Sequence, residues 1–219
     1  MGSADNNGRI ELVALEHVVA QLSINPSVIL EVGSHNGEDA ERLQKRFDVE
    51  PSQVHVVEAH PTFYKDIVDK YPEYSVYNFA ANNVSGTVSF NAALDFDDGR
   101  SSVLQRDIYN ADNFEVVECE SKRLDSFIED RGIESIDIFK LDVEGLSYEV
   151  LEGMGDLISK VKCIQVETEY NQMWNDQKVA QDTYDYLKSK DFVLVWRNNV
   201  ANLQDDSIWV RRDLLPSAQ

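Results

Sequence analysis

The sequence has few cysteines and no long apolar run, and each shortage excludes a class of protein. Only Cys119 and Cys163 occur among 219 residues, far apart and each beside apolar residues. Residues 1–6 contain no apolar core, so we expect no secretory signal and a cytoplasmic protein. We therefore expect two reduced core thiols rather than a disulfide, a metal pair or a redox motif. No apolar stretch approaches the ~20 residues that span a bilayer.

Basic residues are also scarce. Lys and Arg total 20 against 40 Asp and Glu, which gives a formal net charge of −20. A surface of that sign repels phosphate backbones, so nucleic acid is not expected as a partner. The acidic residues are scattered along the chain, which is typical of a solvated surface. Hydrophobic residues still make up 42% of the chain, enough for a sizeable core.

The sequence does contain a regular alternation of strand-like and helix-like segments. Short runs of β-branched residues, bounded by turn residues, alternate with segments that have the pattern of an amphipathic helix. This alternation predicts βαβ units and a mainly parallel sheet. An opening helix is predicted at about residues 9–22. Main strands are predicted at residues 28–32, 54–57, 75–80, 136–141, 161–166, 192–196 and 207–210.

The last two strands are joined by a polar turn too short for a crossover helix, so we expect them to pair antiparallel. Residues 84–117 depart from the pattern, with extra strands at 87–90 and 115–119 and an unassigned acidic insert between them. No linker divides the chain, so residues 1–219 are expected to form one domain. The predicted fold is α/β: a doubly wound, mostly parallel seven-stranded sheet with a terminal antiparallel hairpin. Nothing in the sequence indicates an oligomeric state.

A glycine-framed loop after the first predicted strand is one candidate binding element. Ligands of open α/β sheets bind beyond the carboxyl ends of strands, and Gly33 and Gly37 bound a turn there. Glycines let a ligand approach the main chain closely. The spacing is GxxxG rather than GxGxxG, so the pyrophosphate-binding turn of nicotinamide and flavin folds is missing. Glu58 ends the second strand about 20 positions downstream, where an acid can accept hydrogen bonds from ribose hydroxyls.

Lys140, Asp142 and Glu144 form a second candidate element at the end of the strand at 136–141. A lysine and two carboxylates at the ligand edge of a sheet are a costly arrangement unless they have partners. In an extended chain, alternation puts all three on one side, so they are expected to share a network. That network would either carry chemistry or fix the turn from strand to helix.

Several motifs of the chain occur together in one known family. In chain order they are Glu31-x-Gly33-x-x-x-Gly37, Glu58-x-x-Pro61, Ala80 with Asn82-Asn83 and Gly86, Ser101-Ser102-Val103-Leu104, and Lys140-x-Asp142-Val143-Glu144-Gly145 followed by Val150-Leu151-x-Gly153. Together they resemble the FkbM-type methyltransferases, which are class I, Rossmann-like enzymes that depend on S-adenosylmethionine. The resemblance covers about residues 28–167, and the lysine–aspartate–glutamate–glycine motif is its most specific part.

The resemblance implies O-methylation of a hydroxyl on a sugar, glycan or polyketide-type small molecule. The positions that it assigns to the cofactor are Glu31, Gly33, Ser34, Gly37, Glu58, Ala59, Ala80, Asn82 and Asp142. Within that set, Glu31 and Gly33 would meet the methionine end and Glu58 the ribose. Ala80 and Asn82 would border the adenine. Asp142 would stand near the methyl donor.

Transfer to a hydroxyl also needs a group that takes its proton. A sugar hydroxyl is a poor nucleophile at neutral pH, so a general base or an acidifying metal ion is required. Asp142 is the predicted base, because its strand delivers it to the centre of the cleft. The other catalytic candidates are Lys140, Glu144, His35 and His60, and the substrate candidates are Ser102, Glu167 and Trp174.

Three alternatives remain open from the sequence. The first is a metal-assisted methyl transfer by the same fold. A hard divalent cation would then be bound by the oxygens of Asp142, Glu144 and Glu167. This alternative is not favoured. The second is a nicotinamide-dependent oxidoreductase, against which the missing GxGxxG and the final hairpin count. The third is a non-catalytic nucleoside-binding module, which would keep Glu58 and the glycines without needing carboxylates around Asp142.

Overall fold

The computed structural model describes residues 10–94, 100–105, 113–201 and 203–216. Its strands are β1 (Ile29–Val32), β2 (Val54–Val57), β3 (Ser75–Tyr77), β4 (Ala80–Ala81), β5 (Gly86–Ala93), β6 (Phe114–Lys122), β7 (Ile136–Leu141), β8 (Val161–Glu169), β9 (Phe192–Val200) and β10 (Gln204–Arg211). Its α-helices are α1 (Ile10–Gln21), α2 (Glu38–Phe47), α3 (Pro61–Lys70), α4 (Leu124–Asp130), α5 (Ser147–Glu152) and α6 (Ala180–Ser189).

Seven strands form the main sheet, in the order β3-β2-β1-β7-β8-β10-β9. The pairs from β3 to β8 are all parallel, and β10 is antiparallel to both of its neighbours. The doubly wound sheet with a terminal antiparallel hairpin is therefore confirmed. The strand order changes direction between β1 and β7, because the chain first moves outward from β1 to β3 and later returns to β7.

Local sequence explains why the central elements form. All six residues of β7 are buried, as expected for a parallel strand that is covered on both faces. α2 carries acids in its first turn, from Glu38 to Glu41, and Lys45 and Arg46 in its last turn. That charge order complements the dipole of the helix. Pro61 stands in the first turn of α3, where its missing N–H costs no hydrogen bond.

The helices cover the sheet on both faces, and each face has its own apolar core. On one face, α1, α2 and α3 pack leucines and isoleucines such as Leu15, Leu43 and Ile67 onto the sheet. On the other face, α4, α5 and α6 cover a second cluster that includes the fully buried rings of Phe139 and Trp209. Burying a large apolar side chain contributes roughly 1.5–3 kcal/mol, so these two layers hold the sheet between them.

The structure corrects one predicted strand and bears out two others. The strand predicted at residues 75–80 is split: β3 ends at Tyr77 and belongs to the main sheet, whereas β4 joins a second sheet in the order β4-β6-β5. The two extra strands predicted in the insert exist and pair with each other antiparallel as β5 and β6. Arg9, where the opening helix was expected to start, and the acidic residues 95–98 lie outside the described residues.

Within the described ranges, no helix is both long and apolar enough to cross a membrane. The two cysteines are buried and lie in different apolar clusters, Cys119 beneath the second sheet and Cys163 on the α1 face of the main sheet. That residues 1–219 form one domain stays a prediction.

Candidate active site

A cleft lies at the carboxyl ends of the central strands, at the point where the strand order changes direction. Open α/β sheets bind ligands at this point. Gly33 follows β1, Glu58 follows β2 and Asp142 follows β7, and all three line the cleft. The second sheet forms the opposite wall, with Ala80 of β4 and Phe90 of β5.

The loops after β1 and β7 are in direct contact. The backbone N–H of Asp142 donates to the carbonyl oxygen of Val32 at 3.0 Å. Gly33 has a φ of +78°, and a Cβ at this position would lie 1.9 Å from the carbonyl oxygen of Asp142. Glycine alone tolerates both the left-handed backbone and so close an approach. Gly33 therefore allows the Asp142 loop to lie against the first loop of the site.

Glu58 holds the loops on the β2 side of the cleft. Its Oε2 accepts hydrogen bonds from the backbone N–H groups of Ser34 at 3.0 Å and His35 at 2.9 Å. Its Oε1 accepts from the N–H of His60 at 2.7 Å. Burial raises the pKa of Glu58, and the three backbone hydrogen bonds act in the opposite direction. A carboxylate offers about four lone-pair positions, so one more partner fits and the ribose contact stays a prediction.

Lys140 lies behind the cleft wall. Its side chain is only 3% exposed, and its Nζ is 3.0 Å from Oδ2 of Asp142. Oδ2 of Asp39 lies 3.3 Å from the same nitrogen and Oε1 of Glu31 lies 3.6 Å from it. Burial disfavours the charged lysine, but the carboxylates of Asp142, Glu31 and Asp39 together raise its pKa well above the ordinary value. Two of the three residues predicted to share a network, Lys140 and Asp142, therefore do so, and its other members are Glu31 and Asp39 rather than Glu144.

Glu31 is fully buried at the base of this network. It lies opposite Lys140 in the register of β1 and β7. Its Oε2 accepts a hydrogen bond from the Ser34 hydroxyl at 2.5 Å, whereas Oε1 has no hydrogen-bond partner in the described part of the chain. Burial raises the pKa of Glu31 to about 7, although Lys140 acts against the shift. Glu31 and Ser34 do not line the cleft, so the structure places both behind the predicted cofactor contacts.

Carboxylates collect at the end of the cleft formed by β7 and β8. Glu144 and Glu167 line it together with Gln204, whose Nε2 donates to Oε2 of Glu167 at 2.9 Å. Burial, and then the negative charges of Asp142 and Glu144, raise the pKa of Glu167 well above its usual range. Carboxyl groups are therefore closely spaced at this end of the cleft, and Glu167 holds its proton more tightly than an exposed glutamate does.

The carboxylates grouped closely enough to hold a cation differ from the set expected from the sequence. Carboxylate oxygens of Glu144, Glu167 and Glu169 lie within 4.8 Å of one another. Glu169 is two residues beyond Glu167 in β8, so alternation brings both to the same face. Asp142, which the sequence analysis placed in this set, instead pairs with Lys140.

Apolar side chains line the cleft after β2, after β7 and on the second sheet. They are Ala59, Ala80, Ala81, Phe90 and Val143. An apolar slot of this kind suits a flat base. Asn82 does not line the slot: its carbonyl oxygen lies 2.2 Å from where a Cβ on Gly153 would be, so it packs against that glycine.

Ser102 joins residues 100–105 to the loop after β7. Its Oγ donates to the carbonyl oxygen of Glu144 at 2.6 Å and accepts from the N–H of Leu104 at 3.0 Å. Its backbone N–H and carbonyl both pair with Asn91 of β5. Ser102 lines the cleft, but its hydroxyl proton is already donated within the protein. It therefore holds the wall of the cleft, and its contact with a substrate stays a prediction.

Trp174 lies beside the cleft and is not one of its lining residues. Its side chain is buried. A Cβ on Gly145 would lie 3.0 Å from the indole ring and 3.3 Å from Leu104, so the ring packs on the loop after β7. Its backbone N–H donates to Oε1 of Gln177 at 3.2 Å. Stacking of this ring on an acceptor stays a prediction.

The two loop histidines differ in what their rings do. His35 lines the cleft, and its ring centroid lies 4.3 Å from that of Phe63. His60 caps α3: its Nδ1 accepts from the N–H of Thr62 at 3.2 Å, and its Nε2 lies 3.2 Å from the carbonyl oxygen of Ala93. With Nδ1 accepting, Nε2 must be the donor, and burial lowers the pKa of His60. Since both of its ring nitrogens are engaged, His60 is a poor candidate for the base.

The cleft brings together most of the predicted positions. Those that line it are Gly33, His35, Glu58, Ala59, Ala80, Ser102, Asp142, Glu144 and Glu167. Those that lie behind or beside it are Glu31, Ser34, Gly37, Asn82, Lys140 and Trp174. Lining residues that the sequence analysis did not assign include Phe63, Phe79, Ala81, Phe90, Val143 and Gln204. The position of Val143 just after a strand end is a signal that could have identified it. Gln204 reaches the site only through the pairing of β10 with β8.

Comparison with known sequences points to one family. A sequence model described as the methyltransferase FkbM domain matches residues 31–194. The 2-O-methyltransferase NoeI of Sinorhizobium fredii is 24% identical over 190 residues, which cover 80% of this chain and 77% of NoeI.

Solved structures share the fold. A methyltransferase FkbM from Methylobacillus flagellatus matches with a TM-score of 0.58 at 15% identity, over 85% of this chain and 44% of that one. TrmK of M. capricolum, solved in complex with S-adenosyl-homocysteine, matches with a TM-score of 0.51 at 9% identity, over 90% of this chain and 67% of that one. The chain thus spans less than half of the FkbM structure. The likeness confirms the Rossmann-like fold of class I methyltransferases.

Proposed function

Because the chain belongs to the FkbM family of S-adenosylmethionine-dependent methyltransferases, we propose that it methylates a hydroxyl of a sugar, glycan or polyketide-type small molecule. The observation that carries the proposal is the position of Asp142. Its carboxylate follows β7 at the change in strand order, lines the cleft and is 37% exposed there. We therefore favour a methyltransferase over the two alternatives, a nicotinamide-dependent oxidoreductase and a non-catalytic nucleoside-binding module.

The lining of the cleft fits the cofactor. Gly33 presents backbone without a side chain, Glu58 has room for a further hydrogen bond, and Ala59, Ala80 and Val143 leave a narrow apolar slot. Gly33 would hold the methionine end of the cofactor and Glu58 its ribose. Ala59, Ala80 and Val143 would hold the adenine. When bound, S-adenosylmethionine supplies an electrophilic methyl group on a sulfonium.

Asp142 is the group that we assign to the acceptor's proton. A general base must lie within hydrogen-bond reach of the hydroxyl that it deprotonates. Oδ2 of Asp142 is taken by Lys140 at 3.0 Å, so Oδ1 is the oxygen that receives the proton. The rest of the rate enhancement comes from holding the acceptor oxygen in line with the methyl group and the sulfur.

The carboxylates around Asp142 limit the chemistry of the acceptor. Glu144 and Glu167 offer acceptor oxygens on the same side of the cleft, which suits a ligand rich in hydroxyl donors. Anionic acceptors would be repelled there, and the formal net charge of −20 acts against nucleic acid in the same way. NoeI is named as a 2-O-methyltransferase, and this supports oxygen as the atom that is methylated.

A metal-assisted transfer is the second candidate, and the grouping of Glu144, Glu167 and Glu169 favours it. Three carboxylates are suitable ligands for Mg²⁺ or Mn²⁺. A cation held there would acidify an acceptor hydroxyl and replace the base.

One set of measurements tests both candidates. Calorimetry should show binding of S-adenosylmethionine and no binding of NAD, and mass spectrometry should detect methylation in a panel of hydroxylated glycans and polyketides. Asp142→Asn keeps the shape of the site, so the single-turnover rate should fall by about 100- to 10,000-fold with little change in cofactor affinity. Asp130→Asn, at an exposed aspartate on α4, serves as the matched control.

The metal-assisted candidate predicts another pattern. Activity would vanish with chelator and return with magnesium or manganese. Glu167→Gln would abolish it, whereas Asp142→Asn would keep most of it, because Asp142 is not one of the three grouped carboxylates. Full activity of Asp142→Asn in the presence of chelator would contradict both candidates.

A further inference from the structure

We infer that Lys140 is a positioning residue that holds the carboxylate of Asp142 in the orientation needed for proton transfer. The inference rests on the proposed function, because it concerns the base of that reaction. Lys140 then acts on the reaction without touching the substrate. The sequence motif alone did not distinguish this role from direct contact with the substrate.

The burial of Lys140 shows that it acts from behind the site. Its side chain is 3% exposed and does not line the cleft. Its three carboxylate partners come from three different elements: Glu31 from β1, Asp39 from α2 and Asp142 from the end of β7. A substrate in the cleft would meet Asp142 first. Lys140 therefore influences the reaction through Asp142.

The distances rank these partners. The Nζ of Lys140 donates a hydrogen bond to Oδ2 of Asp142 at 3.0 Å. The distances to Asp39 at 3.3 Å and Glu31 at 3.6 Å are longer. A charge-assisted hydrogen bond is directional, whereas a longer ion pair mainly balances charge. Asp142 is therefore the partner that Lys140 orients, and the other two carboxylates hold the ammonium group in place.

A buried charge pair is not needed here for the fold alone. Ile138, two residues earlier on the same face of β7, belongs to the apolar core, and Lys140 continues that row. Replacing a buried ion pair by apolar residues of similar size is often neutral or stabilising. Apolar residues at both 31 and 140 would continue the core. What they could not supply is a donor to the carboxylate of Asp142.

The neighbourhood of Asp142 makes a fixed orientation necessary. Glu144 and Glu167 line the cleft beside it, and like charges repel. The side chain of Asp142 is 37% exposed, so water is available as an alternative hydrogen-bond partner for its carboxylate. Without the bond from Lys140, the carboxylate would turn toward water and away from the acceptor. A misplacement of about 1 Å can cost a factor of about 100 in rate.

A double-mutant cycle tests the inference. Lys140→Met should lower the single-turnover rate about 10- to 100-fold while the KM for S-adenosylmethionine stays within about 3-fold. Made in the Asp142→Asn background, the same substitution should lower the rate by less than about 2-fold, because coupled residues are not additive. Lys45→Met breaks an exposed ion pair with Glu41 on α2, away from the cleft, and is the matched control, with a rate within about 3-fold of the parent. Equal fold-losses in both backgrounds would overturn the inference.

Two further measurements keep the test decisive. If Lys140→Met fails to fold, the double variant Lys140→Met/Glu31→Gln removes the uncompensated buried carboxylate and takes its place in the cycle. Crystal structures of the parent and the variant with S-adenosyl-homocysteine should show the Asp142 carboxylate displaced in the variant. An unmoved carboxylate would refute the inference even if activity fell. If the parent methylates no acceptor, the proposed function fails, and the crystal structures still decide the role of Lys140.

Discussion

Glu31 makes the stability of the protein depend on pH in a way that can be measured. Burial raises its pKa to about 7 from an ordinary value of 4.5, so the folded state holds the proton more tightly than the unfolded chain. The stability that Glu31 contributes is fully present below about pH 4.5 and is lost as the pH rises through about 7. Each pKa unit corresponds to about 1.4 kcal/mol, so the full loss is on the order of 3 kcal/mol.

Glu31→Gln removes this titration while preserving the shape of the site. The amide oxygen can still accept the hydrogen bond that the Ser34 hydroxyl donates to Oε2 at 2.5 Å. The amide group faces Lys140 less favourably than a carboxylate does. The resulting loss of free energy of unfolding is nearly the same at every pH. It therefore cancels when the slope of stability against pH in Glu31→Gln is compared with the slope in the parent.

Urea unfolding at pH 5 and pH 8, followed by tryptophan fluorescence, measures the effect. Between the two pH values the parent should lose about 2.5 kcal/mol more of its free energy of unfolding than Glu31→Gln does. Glu73→Gln, at an exposed glutamate, should lose as much as the parent. If the parent and Glu31→Gln lose the same amount, Glu31 does not hold its proton near neutral pH and the reasoning is wrong.

Two further predictions concern backbone and thiols. Gly33→Ala should destabilise the protein by about 3 kcal/mol or more and abolish cofactor binding, because its Cβ would lie 1.9 Å from the carbonyl oxygen of Asp142. Gly132→Ala, where φ is +64° and no atom lies within 4 Å, should cost only about 1–2 kcal/mol in urea unfolding. Burial raises the pKa of Cys163 to about 12, so iodoacetamide should leave it unmodified in the native protein, as mass spectrometry can show. Reducing agent should not change the melting temperature, and a clear drop would mean that Cys119 and Cys163 are bonded to each other.

The sequence determined the architecture because local patterns carry it. The alternation of β-branched runs with helical patterns and the short polar turn between β9 and β10 predicted a parallel core with an antiparallel end, and both were found. Glycine spacing and strand ends identified Gly33, Glu58 and Asp142 as site positions, since in a doubly wound sheet the carboxyl ends of parallel strands meet at one edge.

Tertiary structure alone decided which of these residues face the cleft. A period of two tells which side chains share a face of a strand, but it does not show what covers that face. Lys140 and Glu31 lie beneath the site because β1 and β7 pair with these two residues side by side, a register that neither strand encodes by itself. Glu167 meets Gln204 across another pairing, between β8 and β10. Contacts between segments distant in sequence depend on how the elements pack, and this is why the composition of the charge network could not be worked out from the chain in isolation.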